Sequence, residues 1–283
     1  MEFALDVLSY VLVLGLVAVG LAVIFALLRV LNLAHGEFLM LGAYSVLFAT
    51  QSGIPFWAAV VVATVALAAL GAIVEMLLIR RLAGRPLDSI LGTWGLAILL
   101  RQAVVLHFGP ASQNVDAPTS ADVVIAGIVY PQYRLTVMAI AAAVLLGTVV
   151  LFVGTRFGLH ARAAIARPDI AAALGVDVRK VAARSFVLGA ALAGLAGALI
   201  SPLISVDPNL GLGYLVPAFL AMLVGGGASV FGVIAGAGVV GGADSVLSLY
   251  LSSVWAQSAV FVLAIMLIRL RPSGLVRGRG ERP

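Results

Sequence analysis

Apolar runs follow one another along almost the entire chain, and most are long enough to cross a hydrocarbon core of about 30 Å, which takes about 20 helical residues. They cover about 7–28, a run broken near its start by His35 and Glu37 and ending near 50, then 56–79, 89–106, 135–153, 185–204, 214–224, 230–247 and 254–268. Only 10% of the 283 residues are charged, against roughly a quarter in a soluble domain. The chain therefore reads as all-α and integral to the membrane, one polytopic transmembrane helix bundle over 1–283 with no soluble domain beside it. About nine crossings are expected, with eight to ten compatible with the runs. If 214–247 is instead a re-entrant hairpin the number falls to seven, and periodicity does not decide between the two.

The basic residues divide by side. Segments 80–85, 156–184 and 269–283 are basic, whereas 51–55, 107–122, 205–213 and 248–253 carry no Lys or Arg. The positive-inside rule then puts the N-terminus outside and the C-terminus in the cytoplasm. The net charge of +5 is explained by this orientation, so nucleic acid is not an expected partner, while membrane lipid is. Residues 107–132 hold Asp116, Asp122 and three prolines, an external excursion by composition.

Asn32, His35 and Glu37 form the polar cluster that breaks the apolar pattern, with Gly36 weakening the helix between them. Ionisable groups at membrane depth are costly and persist where they face a packed interior or a watery path, and broken helices need protein to cover their freed backbone groups. The stretch reads either as part of a translocation path or as a short loop at the bilayer surface. An echo, NLGLG at 209–213, resembles NLAHG at 32–36, and inverted repeats of this sort build many transporters. Asp244 is expected to lie on the pathway or to bond between helices, Glu75 to pair with Arg80 at a boundary, and Arg101 to reach an interface or pair with an acid in the bundle.

Some chemistries are excluded. The one lysine, Lys180, follows Arg179 rather than Gly, so no G-x-x-x-x-G-K-[ST] phosphate loop exists. His35, His107 and His160 lack zinc-ligand spacing, cysteine is absent, and no catalytic triad pattern is present. Neither enzyme activity nor a cofactor or metal is expected. In the basic segment, Pro168 suits a first helical turn, Asp169 complements the positive helix end, and Gly175 is a plausible stop. A short helix over 167–175 flanked by Arg162, Arg167, Arg179 and Arg184 is either a docking element for another protein or a solvated loop that fixes orientation.

Four stretches together, VLNLAHGEFLMLGAY (30–44), TRFGLHARAAIARPDIAAALGVDVRKV (155–181), FVLGAALAGLAGAL (186–199) and FLAMLVGGGASVFGVIAG (219–236), make the chain similar to permease subunits of ATP-binding-cassette importers of the branched-chain amino acid and amide class. The resemblance implies a bacterial inner-membrane location, a second homologous permease subunit, two cytoplasmic ATP-hydrolysing subunits and a periplasmic or lipid-anchored substrate-binding protein. It implies an ATPase-coupling region comprising Arg162, Arg167, Pro168, Asp169, Gly175 and Arg179. It also implies a translocation pathway near Asn32, His35, Gly36 and Glu37, to which Thr93, Trp94, Asn209 and Asp244 are added. LDSILGTWGLAILLRQ (87–102) and DPNLGLGYLVPAFL (207–220) are more similar to urea and short-amide permeases, so urea or a short amide is the expected solute, with branched-chain amino acids the alternative. Ala228, where the family usually has Gly, and Asp244, where it often has Glu, are departures. A passive small-solute channel and a proton-coupled carrier using His35, Glu37 and Asp244 are the competing functions.

Overall fold

A computed structural model describes residues 1–82, 84–125, 127–227, 229–271 and 274–276; Ala228 and most of the basic tail beyond 271 lie outside these. Each of the nine expected apolar runs emerges as a helix. These are α1 (Glu2–Leu28), α2 (His35–Gln51), α3 (Phe56–Val74), α5 (Pro86–Phe108), α6 (Gln132–Gly154), α9 (Val178–Ile200), α10 (Leu210–Gly225), α11 (Val230–Leu247) and α12 (Ser253–Leu270). Helix α3 runs on through a π-helical turn, Glu75–Ile79, into α4 (Arg80–Leu82). Glu75 is buried there and accepts two hydrogen bonds from Arg80, at 2.9 and 3.3 Å, the pairing expected of it.

Among the described residues seven helices are long and apolar enough to cross a membrane. The other two, α2 and α10, have 17 and 16 residues. At 1.5 Å per residue they span only about 25 Å. The nine expected apolar runs are thus seven helices of spanning length and two shorter ones. Helix α11 is of spanning length and α10 is not, and the two pack antiparallel where Gly225 meets Gly232 and Ala221 meets Gly236.

Two elements depart from the sequence reading. The all-α expectation misses a two-stranded antiparallel hairpin in the 107–132 excursion, β1 (Asp122–Ile125) with β2 (Ile128–Pro131), Asp122 opposite Pro131. Asp122-Val-Val-Ile and Ile-Val-Tyr130 are β-branched and aromatic, the composition of strands, but two runs of four residues are short against the polar background. The basic segment holds α7 (Arg156–Ala166) as well as α8 (Pro168–Ala173). Thr155 caps α7 by accepting from the Gly158 N–H, and Gly175, at φ 87°, ends the α8 unit as expected.

Helix α1 is the axis of the bundle. It is apolar on every face, which suits a helix enclosed by others, and Val13–Ile24 are buried without interruption. α9, α10, α11 and α6 pack around it. The arrangement repeats: α3 packs on α9 as α11 packs on α1, while α1 crosses α9 and α2 meets α10. Small residues set these distances, since lipid gives no hydrophobic drive for helices to associate and close van der Waals packing must supply it. At the α2–α9 contact a Cβ added to Gly42 would lie 2.1 Å from the Gly194 carbonyl oxygen, backbone that cannot swing aside. Gly42→Ala is therefore expected to force the helices apart and cost about 2 kcal/mol of stability. Gly147→Ala, with nothing near its Cβ position, is expected to be neutral or slightly stabilising; thermal unfolding of the two variants in detergent checks the contrast.

Candidate functional site

Helix α1 ends at Arg29, the one described non-glycine residue with positive φ (51°), whose N–H bonds the Phe25 carbonyl. Residues 30–34 then lie outside helix, 33–34 forming a turn in which the Asn32 carbonyl accepts from the His35 N–H at 3.2 Å, before α2 begins at His35. This break lies in the interior of the protein, because Asn32, His35 and Glu37 are 2%, 0% and 1% exposed, so it is not a solvent-exposed loop. Its place in the bundle follows from its neighbours. The His35 ring nitrogen Nε2 is 3.0 Å from the Val17 carbonyl oxygen, beyond the middle of α1, and the ring also sits against Gly20. Gly20 in turn crosses the backbone of Gly189 at the midpoint of α9.

Side chains from elsewhere satisfy the broken backbone. Thr93 on α5, fully buried, accepts from the Leu33 N–H at 3.3 Å, and its hydroxyl lies 3.1 Å from the Leu31 carbonyl oxygen and 2.9 Å from that of Ser89. Asn32 Oδ1 accepts from the Ala34 N–H at 3.2 Å. Because Nε2 of His35 faces a carbonyl, it carries the proton. Nδ1 is then an acceptor, and it has no partner among the described residues; the same holds for Asn32 Nδ2.

Glu37, in the first turn of α2, pairs with Arg101 of α5. The carboxylate is enclosed, and the Arg101 side chain is a quarter exposed. Of the two sequence options for Arg101, pairing inside the bundle is the one observed. The signal was present, since Arg101 is the only Lys or Arg between 86 and 133 and Glu37 the only acid between 7 and 74.

The two NL segments come together. Gly36 and Gly211 touch backbone to backbone, each occupying the space a Cβ of the other would need, so α2 and α10 begin at one point and α10's first turns pack on the break. The environments of the two asparagines differ, however: Asn32 is buried and Asn209 is exposed, with its N–H bonded to Asp207 Oδ1 at 2.8 Å. Asp244 on α11 sits beside Tyr10 of α1, whose ring lies 6.1 Å from that of Tyr214 on α10. These three form a polar cluster apart from the break. Trp94 points away from both, 56% exposed on the outside of α5, so the sequence places it on the pathway and the structure does not bring it there. A further cluster that sequence reasoning missed joins Asp6 to Arg134 and to the Tyr130 hydroxyl at 3.0 Å; its members are far apart in the chain, and nothing local marks them.

In the basic segment Arg167, Pro168, Asp169, Gly175 and Arg179 are all exposed. Arg162 is engaged, donating to the Phe152 carbonyl at the end of α6. Lys180 donates its N–H to Asp177 at 2.9 Å and pairs with it through its ammonium. The backbone hydrogen bond first, and the side-chain contact second, hold the Asp177 carboxyl below the usual carboxylate range. Ile170 and Leu174 stand in solvent here, Leu174 80% exposed.

Residues 3–270 match the family described as the permease component of the branched-chain amino acid transport system. The chain belongs to that family. It is similar to the high-affinity branched-chain amino acid transport system permease protein LivH of Salmonella typhimurium, 28% identical over 94% of this chain and 92% of that one. BraD of Pseudomonas aeruginosa, with the same description, is 26% identical over 94% of this chain and 92% of its own. A probable branched-chain amino acid transport permease protein LivH of Methanocaldococcus jannaschii is 27% identical over 92% of this chain and 87% of its own. No solved structure matches. This permease is thus a multi-pass protein of the bacterial inner membrane.

Removing one member of a buried ion pair strands the other charge, at a cost of about 3 kcal/mol or more, lessened here because Arg101 is partly exposed. Glu37→Gln and Arg101→Gln are each expected to lower the unfolding temperature of the purified permease, and the double variant to recover most of the loss; a double-mutant cycle in detergent measures the coupling.

Proposed function

We propose that this permease is the membrane subunit of an ATP-driven importer and moves branched-chain amino acids inward by alternating access. The observation that carries the reading is the match over nearly the entire chain to a family and to relatives described by that transport. Urea or a short amide, the solute favoured by the 87–102 and 207–220 stretches, finds no support among these relatives, and the alternative solute class takes its place.

In this reading the basic segments, including 156–184, face the cytoplasm, and the N-terminus lies outside. Energy is supplied by partner ATPases, as befits a chain without a phosphate loop. They dock on α8 and its flanks, where Ile170 and Leu174 expose apolar surface beside Arg167 and Arg179. Exposed aliphatic side chains outside a membrane bundle, ringed by charge, are what a protein interface leaves when its partner is absent. A substrate-binding protein delivers solute at the opposite face, and a second permease subunit completes the membrane assembly. The break at Asn32–Glu37, with its fixed bonds to Val17 and Thr93 and its neutralised charge, is the element about which the path is built, with Asp244 nearer its outer end.

Two outcomes test this. Proteoliposomes holding the permease with its ATPases, permease partner and binding protein are expected to accumulate leucine only with ATP; uptake that survives without the ATPases indicates a channel, and loss on collapsing a proton gradient alone indicates a carrier. Leu174→Asp and Arg167→Glu are each expected to reduce ATPase retained on immobilised permease by about tenfold or more, the scale of an interface anchor, with membrane insertion unchanged.

A further inference from the structure

The excursion between α5 and α6 is fastened to the bundle from several directions. Gln113 and Val206 exchange both backbone hydrogen bonds, each 2.8 Å, and Ser205 donates to Asn114 Oδ1 at 3.2 Å. The Tyr130 hydroxyl donates to Asp6, which also pairs with Arg134, and the Tyr133 hydroxyl donates to the Leu199 carbonyl at 2.7 Å. A two-stranded hairpin by itself is marginal in water, so these anchors are what hold β1 and β2 in place. They also decide which way the hairpin faces. Side chains alternate along a strand. Val123 and Tyr130, opposite each other, share the face on which Tyr130 is buried; the next pair, Val124 and Val129, points the other way and is 68% and 58% exposed. A cleft of about 320 Å³ adjoins the hairpin, walled by Thr119, Ser120, Asp122, Tyr133, Arg134 and Leu203 among others. Charge on this surface is one-sided. Residues 107–133 contain no Lys or Arg, and Arg134 is paired with Asp6. Asp116 and Asp122 are exposed, and neither forms an ion pair among the described residues.

We infer that this outward face of the excursion receives the substrate-binding protein, and that the contacting surface of that protein carries Lys or Arg around a small apolar patch. The valine pair meets the patch, Asp116 and Asp122 meet the cations, and the cleft beside Asp122 admits one basic side chain. The inference rests on the importer reading above and adds to it the place and chemistry of delivery. Charge selects a protein over lipid as the occupant. Anionic headgroups attract basic segments, whereas the acids here repel them, and aliphatic side chains set among charges outside a bundle mark a protein interface. The surface is also continuous with the break. Val206, bonded to Gln113, lies four residues before Leu210, where α10 begins, and Gly211 touches Gly36. A protein seated on the excursion therefore bears on a segment joined by backbone to the start of α10.

The chain contains no cysteine, so Val124→Cys offers a single thiol for a benzophenone maleimide, attached before the permease is assembled in proteoliposomes with its ATPases, permease partner and leucine-loaded binding protein. Irradiation is expected to join the label to the binding protein. Label recovered on lipid, on the second permease subunit or on no partner overturns the inference. In unlabelled assemblies Asp122→Lys is expected to raise the half-saturating concentration of the loaded binding protein about tenfold, the scale of an interface anchor, and to weaken the rise of that concentration with ionic strength that an attractive charge pair produces. The unfolding temperature in detergent and ATP hydrolysis without binding protein are expected to match wild type. An unchanged half-saturating concentration removes the charge complementarity and so overturns the inference as stated. Wild-type assemblies that take up no leucine with ATP overturn the functional reading together with the surface, whereas normal wild-type uptake beside either negative result overturns the surface alone.

Discussion

A chain that leaves the helical path inside a membrane must provide the hydrogen bonds that water provides elsewhere, and this requirement governs the structure around residues 29–37. Within hydrocarbon each unmet N–H or carbonyl costs several kcal/mol. Thr93 meets two of them at once, taking the Leu33 N–H and lying against the Leu31 carbonyl, much as a neighbouring strand would. Asn32 meets the Ala34 N–H, and His35 reaches across to Val17, whose carbonyl is thereby drawn into the contact between α1 and α2. The break thus couples three helices, α1, α2 and α5, through polar groups, and α10 through the Gly36–Gly211 contact. Motion of any one of them against another has to remake these bonds.

Glycine performs the complementary task. Where Gly20 meets Gly189 and Gly36 meets Gly211, backbones come so near that no Cβ fits between them. The two contacts lie on the line that relates α1, α2 and α3 to α9, α10 and α11, so each half of the repeat gives one member of each pair. Equivalent positions need not carry equivalent chemistry. The first half has buried Asn32, His35 and Glu37 at its short helix, and the second has exposed Asn209 followed by leucines and glycines. The scaffold is thus symmetric in its packing and asymmetric in its polar load.

Much of the architecture was legible from apolar run length alone, because a helix in lipid has no alternative to about 20 apolar residues, and each run became a helix. The limits were less so. Helix α9 starts at Val178, seven residues before its apolar run, since Asp177 caps it in the basic segment and charge does not prevent helix formation outside the core. The hairpin at 122–131 was hidden because two strands of four residues leave too short a pattern. In the site, Asn32, His35 and Glu37 stood out as polar residues in a greasy context, and so did Arg101. That Arg101 pairs with an acid in the bundle was one of the sequence options, and the only mark of Glu37 as that acid was that each is the sole charge of its sign in its apolar stretch, since a separation of 64 residues across two helices leaves no periodic trace. Trp94 drew notice through resemblance and turned out to face outward, whereas its neighbour Thr93, one residue away and so about 100° around the helix, faces the break. Direction on a helix, not proximity in sequence, decides which of two adjacent residues takes part.

The Glu37–Arg101 pair also bears on what the path can carry. A lone carboxylate in a membrane interior would repel an amino acid's carboxylate and attract cations, and a lone guanidinium would trap the anion. Paired, the two cancel at distances beyond a few ångströms, so the interior near α2 keeps the weak positive bias of its helix end without a deep electrostatic well. A transporter needs such shallowness, since a solute held too firmly at the midpoint is not released on the far side. If the proposed path runs beside the break, neutralisation by Arg101 reconciles an acid at the start of α2 with passage of a molecule that carries an acid of its own.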